Sequence, residues 1–126
     1  MVKLGEVVCF VPSRNPKKSR SFYENVLGLR FVGQDQFAAV FDTNGITLRL
    51  VNVKGVRGFK PAPFTILGWH VKGIRGTIKR LRKKGVKFER YAGMEQDDVG
   101  VWTSPEGARV AWFKDPDRNV LSVSEY

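Results

Sequence analysis

Leu27-Gly28-Leu29-Arg30-Phe31 and Lys84-Gly85-Val86-Lys87-Phe88 carry the same instruction twice. In each, a glycine closes a helix as a left-handed cap, and an apolar residue, a cation and a phenylalanine then open an extended segment. Upstream of the first copy, Asn15-Pro16 reads as a helix start, with Asn as N-cap and Pro in the first turn. Phe22, Tyr23 and Val26 supply that helix's apolar stripe. Before it, residues 7–11 are β-branched or aromatic around Cys9 and read as a mostly buried strand. After it come strand segments at 30–32, 37–41 and 46–53, the last two joined across Asn44-Gly45, a strong hairpin signal.

The second copy has the same surroundings. Residues 64–71 read as a strand, and Ile74, Ile78 and Leu81 space out a helix ending at Gly85. Segment 86–90 reads as the strand that mirrors 30–32. Segments 99–103 and 108–114 form a hairpin around Ser104-Pro105-Glu106-Gly107, and Asp115-Pro116-Asp117-Arg118-Asn119 turns the chain into a last strand at 120–125. The β-α-β-β-β pattern of the first copy thus recurs about 60 residues on, there with one strand segment more, and two copies are too few for a solenoid. The expected fold is α+β: a single domain over 1–126, built from two βαβββ modules, 5–53 and 64–126. The linker at 54–63 is rich in Gly and Pro, and the two curved mixed sheets are expected to share a cleft.

Composition bounds the function. The chain has 126 residues, 42% of them hydrophobic, which is enough for a core and excludes wholesale disorder. Its single cysteine, Cys9, rules out an intrachain disulfide and a cysteine-rich zinc site, so a reducing, cytoplasmic setting is expected. No apolar run approaches the roughly 20 residues of a spanning helix, and no membrane role is expected. The 22 Lys and Arg outweigh 12 Asp and Glu, for a net charge of +10. That excess favours anionic partners over cationic ones. The bases are not gathered in a tail, nor do they accompany an RNA-binding or zinc-finger motif, so nucleic acid is the weaker expectation.

Three segments carry a family resemblance: Ser21-Phe22-Tyr23-Glu24-Asn25-Val26-Leu27-Gly28-Leu29, Leu67-Gly68-Trp69-His70-Val71, and Ala111-Trp112-Phe113-Lys114-Asp115-Pro116-Asp117-Arg118-Asn119. With the paired modules, they resemble the glyoxalase/bleomycin-resistance/ring-cleaving dioxygenase superfamily, the vicinal oxygen chelate fold. The resemblance implies small-molecule chemistry in the cleft and, commonly, a homodimer. It assigns no reaction, because the fold hosts lyases, isomerases, dioxygenases and drug-sequestering proteins. Relatives that use a divalent metal hold it with His, Gln or Glu on the first and last strand of each module. By the resemblance those places fall at or beside Val8, at Arg49, at Ile66 and at Ser122. None of the four is an ordinary metal ligand, and Cys9, one residue from Val8, is a lone thiol. No metal and no cofactor is therefore expected.

The remaining candidates are polar or aromatic. Arg49 offers a planar fork to a carboxylate or phosphate if Thr47, Arg49 and Val51 line the cleft; if instead Leu48 and Leu50 fill the core, it is a paired or solvent-facing cation. His70, the only histidine, either projects into the cleft, with Ile66 and Gly68, as an acid/base or ligand contact, or is a plain strand-end histidine. Phe10, Trp69, Trp102 and Trp112 are either flat walls for a planar ligand or ordinary core. The leading expectation is a metal-independent binder of a small anionic or aromatic molecule, contacted by Arg49, His70, Phe10, Trp69, Trp102, Trp112 and Ser122. The alternatives are a lyase or isomerase of the same superfamily with His70 as acid/base, and a basic nucleic-acid-binding module. Bleomycin-type sequestration is disfavoured, because that drug is cationic.

Overall fold

The computed structural model describes all residues, 1–126, and divides into two units, Met1–Lys60 and Pro61–Tyr126. In the first, β1 (Val8–Ser13) leads to a short helix α1 (Pro16–Ser21), then to β2 (Arg30–Gln34), β3 (Ala38–Thr43) and β4 (Ile46–Asn52). The sheet runs β1-β4-β3-β2, with β1 parallel to β4 and the other pairs antiparallel. Asn15 caps α1 as expected, its side chain accepting from the Lys18 N–H at 3.1 Å, with Pro16 beginning the first turn. The helix then widens without a break into a π-helical stretch, Phe22–Val26, in which the Leu27 N–H donates to the Phe22 carbonyl at 3.0 Å. That extra residue in the turn upsets the simple helical count. Of the expected stripe Phe22, Tyr23 and Val26, only Tyr23 is fully buried, its ring 5.9 Å from Phe41. Gly28 closes the segment at φ +75°.

Two features of this unit differ from the sequence reading. The first strand is not mostly buried but alternates: Val11 and Ser13 are enclosed, whereas Phe10 is 65% exposed. A strand at the edge of a sheet, covered on one side by a helix, hides every second residue, however apolar the others are. The strand also runs on to Ser13, whose hydroxyl donates to Ser19 of α1 at 3.2 Å and accepts from the Asn15 N–H at 3.1 Å.

The second unit repeats the topology. It has β5 (Thr65–His70), α2 (Ile74–Lys83), β6 (Trp102–Thr103), β7 (Arg109–Lys114) and β8 (Val120–Glu125), in the order β5-β8-β7-β6 with β5 parallel to β8. Ile74, Ile78 and Leu81 are buried, as the helical spacing requires. Segment 86–90 is a correction. It forms no strand and touches the sheet through a single bridge, Phe88 to Phe113, and through the Glu89 N–H donating to the Trp112 carbonyl at 2.8 Å. The second strand of this module is instead the two-residue β6.

Glu125 ties the end of β8 to the start of α2. Gly73, the cap of α2, has no side chain to accept from the first N–H groups, and Glu125 does so instead, at 2.8 Å from Gly73 and 3.0 Å from Ile74. These bonds, helped by Arg109 at 2.6 Å, hold its carboxyl below the ordinary value of 4.5. A depressed carboxylate stabilises the fold fully above its unfolded pKa, and that contribution is lost as pH falls through the folded value. The melting temperature of the wild type should therefore exceed that of Glu125→Gln at pH 6, and the gap should close as the pH falls below about 4.5. A gap that circular-dichroism melts find constant down to pH 3 would rule this contribution out.

Candidate functional site

In each unit one sheet face packs on the unit's own helix and the other is turned away from it. The register decides which residues share the second face. In the first unit Phe10 lies beside Arg49, and Arg49 beside Val40. Leu48 and Leu50, on either side of Arg49, are fully buried on the helix side. Arg49 therefore points away from the helix, together with Thr47, Val51 and the exposed Phe10. No hydrogen bond or ion pair engages its guanidinium. Asp35 feels it only at longer range: that carboxyl is held below its usual value chiefly by the N–H groups of Phe37 and Ala38, at 2.8 and 3.0 Å, with Arg49 adding to the effect.

The same register answers the question of Cys9. It pairs with Leu48, on the helix side, and so cannot join Arg49.

In the second unit, Gly68, Ser122 and Trp112 form one row across the sheet face turned from α2, and His70, Ser124, Val110 and Trp102 the next. The indole rings of Trp102 and Trp112 lie 6.2 Å apart. Gly68 is required here, because a Cβ at that position would lie 2.4 Å from the Ser122 hydroxyl oxygen. Trp69 does not join this group: it pairs with Val123, on the helix side. Ile66 falls at a register shift between Thr65 and Leu67, so counting by twos from Ile66 to His70 crosses an irregularity.

His70 is exposed, and its ring stacks on that of Tyr126 at 4.8 Å and 13°. Two residues on this face escaped the sequence reading. Tyr126 continues the alternation Ser122, Ser124, and counting by twos beyond the strand would have found it. Tyr91 packs its ring edge against Trp112 at 5.7 Å, and burial together with the nearby Glu89 raises its phenol pKa. It belongs to no regular element, so no periodicity pointed to it.

The donor set that the superfamily uses for a divalent metal is not matched. Val8 has no donor atom, Arg49 is a cation without a free lone pair, Ile66 is apolar, and the Ser122 hydroxyl sits against Gly68. No three His, Cys, Asp or Glu side chains converge anywhere in the chain. No helix is long and apolar enough to cross a membrane.

Comparison with known proteins fixes the class that these two units define. The family model described as Glyoxalase/Bleomycin resistance protein/Dioxygenase superfamily matches residues 3–123, and the chain belongs to that superfamily. Among curated proteins it is similar to YraH of Bacillus subtilis, itself uncharacterised, at 29% identity over 120 residues, covering 85% of this chain and 87% of that protein. Among solved structures it is similar to the lactoylglutathione lyase of Agrobacterium tumefaciens, with TM-score 0.73, 14% identity, and coverage of 98% and 95% of the two chains. TnmS3, an antibiotic binding protein from Streptomyces sp. CB03234, matches with TM-score 0.71, 21% identity, and coverage of 99% and 98%. At these identities the two structures establish the fold alone.

Proposed function

We propose that this protein binds a small anionic, aromatic molecule on the face of the first unit's sheet that is turned from its helix, and does so without a metal. The observation that carries this reading is Arg49: a guanidinium free of any ion pair, beside the exposed ring of Phe10, at a place where metal-using relatives put a carboxylate ligand. A planar fork next to a flat apolar surface suits an aromatic carboxylate. The second unit has an aromatic surface of its own, formed by Trp102, Trp112 and the stacked His70 and Tyr126, with the Ser122 hydroxyl among them. A cytoplasmic homodimer belongs to the same reading, supported by the lone Cys9 and by the family resemblance.

Turnover with His70 as acid/base has less support. No side chain hydrogen-bonds the imidazole to set its tautomer, as a general base ordinarily requires.

The test is calorimetric titration of chelator-treated protein with 2-naphthoate. Binding should persist without metal, and Arg49→Leu should weaken it about 10- to 100-fold, the value of a charge-assisted hydrogen bond. Binding that appears only after adding Zn²⁺, Ni²⁺, Mn²⁺ or Fe²⁺, or that is unchanged in Arg49→Leu, overturns the proposal.

A further inference from the structure

The outer surface of α2 has a charge pattern that small-molecule binding on the first unit's sheet face does not use. The helix, Ile74–Lys83, contains no acidic residue. Of its cations, Arg75 is committed, held by Asp97 at 2.8 Å and by both oxygens of Asp98 at 3.1 Å. Lys79, Arg82 and Lys83, spaced i, i+3, i+4 on one side, form no ion pair, and neither does Lys87 beyond the helix.

These free cations border two concavities. One, of about 460 Å³, is lined by Lys79, Arg82 and Lys83; the other, of about 320 Å³, by Arg82, Lys87 and Arg90. They share Arg82 and Val99, so the cations follow a continuous strip. Asp98 also lines the second concavity; it shares Arg75 with Asp97, so that trio keeps one net negative charge against the four unpaired cations Lys79, Arg82, Lys83 and Lys87.

We propose that this strip is a second binding site, for the phosphate backbone of nucleic acid, read without regard to sequence. Charge complementarity selects a polyanion, and the rest of the helix selects among polyanions. A helix that docks on a lipid surface needs an apolar face to insert. Here Ile74, Ile78 and Leu81 are 1%, 0% and 9% exposed, all turned into the unit's own core. What remains is a row of point charges and shallow hollows without an exposed aromatic platform, because the ring of Phe88 packs on Phe113. That arrangement contacts phosphates and leaves the bases unread.

The experiment is fluorescence anisotropy with a labelled random-sequence DNA duplex of about 20 base pairs, titrated from 50 to 200 mM salt. Four phosphate contacts give a log–log salt slope near −3.6 and roughly a 150-fold loss of affinity over that range. The triple variant Lys79→Gln, Arg82→Gln, Lys83→Gln should bind at least about tenfold more weakly at 50 mM, with its slope reduced by about 2.7. A control with the same change of charge in the first unit, Lys17→Gln, Lys18→Gln, Lys54→Gln, should stay within about twofold. Absence of binding at 50 mM salt overturns the proposal. Equal losses in the two triple variants also do so, since net charge and not this helix would then be responsible. Phosphatidylserine vesicles that bind more tightly than the duplex, and lose binding in the α2 variant, would overturn it in favour of a membrane.

Discussion

Asp115→Ala should destabilise the protein by about 3–5 kcal/mol, because one buried carboxylate satisfies three donors at once. Asp115 opens the turn between β7 and β8 and is 4% exposed. Its Oδ1 accepts from the N–H groups of Asp117 and Asn119, each at 2.9 Å, and its Oδ2 from the Asn119 side-chain amide at 2.8 Å. Removing the carboxylate strands donors in a site with little room for water, at roughly 1–3 kcal/mol for each group left unpaired. The melting temperature should fall by roughly 10–20 °C for a chain of this size. Asp115→Asn keeps an acceptor for the two backbone donors but turns an amide toward Asn119, and should lose about half as much. A reversible melt showing less than about 1 kcal/mol for Asp115→Ala would mean the turn is held by its backbone alone.

The same turn holds a non-glycine residue in the left-handed region. Arg118 takes the left-handed conformation, at φ +71°, and Asn119 is buried as the partner of Asp115. A side chain costs about 1–2 kcal/mol in that conformation, so Arg118→Gly is expected to change stability in the opposite direction to Asp115→Ala. The arginine is tolerated because three hydrogen bonds to Asp115 determine the turn around it.

Much of the architecture was legible because it rests on local chemistry. Asn15-Pro16, Asn44-Gly45 and the two glycine caps each demand one backbone geometry, and repeating them declares two modules. Legibility fails where one residue more or less changes the side on which a chain continues. The π-helical turn at Phe22–Val26 and the register shift between Thr65 and Leu67 both break a count that spacing assumes to be regular. The site was half legible for the same reason. Alternation allowed Arg49 two orientations, and only the burial of Leu48 and Leu50 chooses between them. Trp69 read as a companion of Trp102 and Trp112, yet strand pairing puts it on the opposite face. Tryptophan is large and apolar enough to suit either side, so its identity carries no direction.

Phe113→Ala is expected to cost about 3–5 kcal/mol and to release the segment that the sequence presents as a strand. Phe113 is fully buried in β7, opposite Leu121 of β8, with its ring centre 5.4 Å from that of Phe88. Residues 86–90 alternate Val, Lys, Phe, Glu and Arg as a half-buried strand should, but a strand needs a partner along its length. Here the neighbouring edge is occupied by β6 where Trp102 pairs with Val110, leaving one bridge at Phe113 and the Glu89 N–H on the Trp112 carbonyl. Truncating Phe113 opens a cavity under Phe88 and removes the contact that holds this N–H in place. Hydrogen exchange at the Glu89 amide should therefore accelerate more than global destabilisation accounts for, while amides of the β7–β8 ladder follow the global loss. Phe88→Ala should release the same amide at a smaller global cost, because Phe88 is only half-buried. If the Glu89 amide stays as protected as the β7–β8 ladder in both variants, the segment is held by contacts other than this pair of rings.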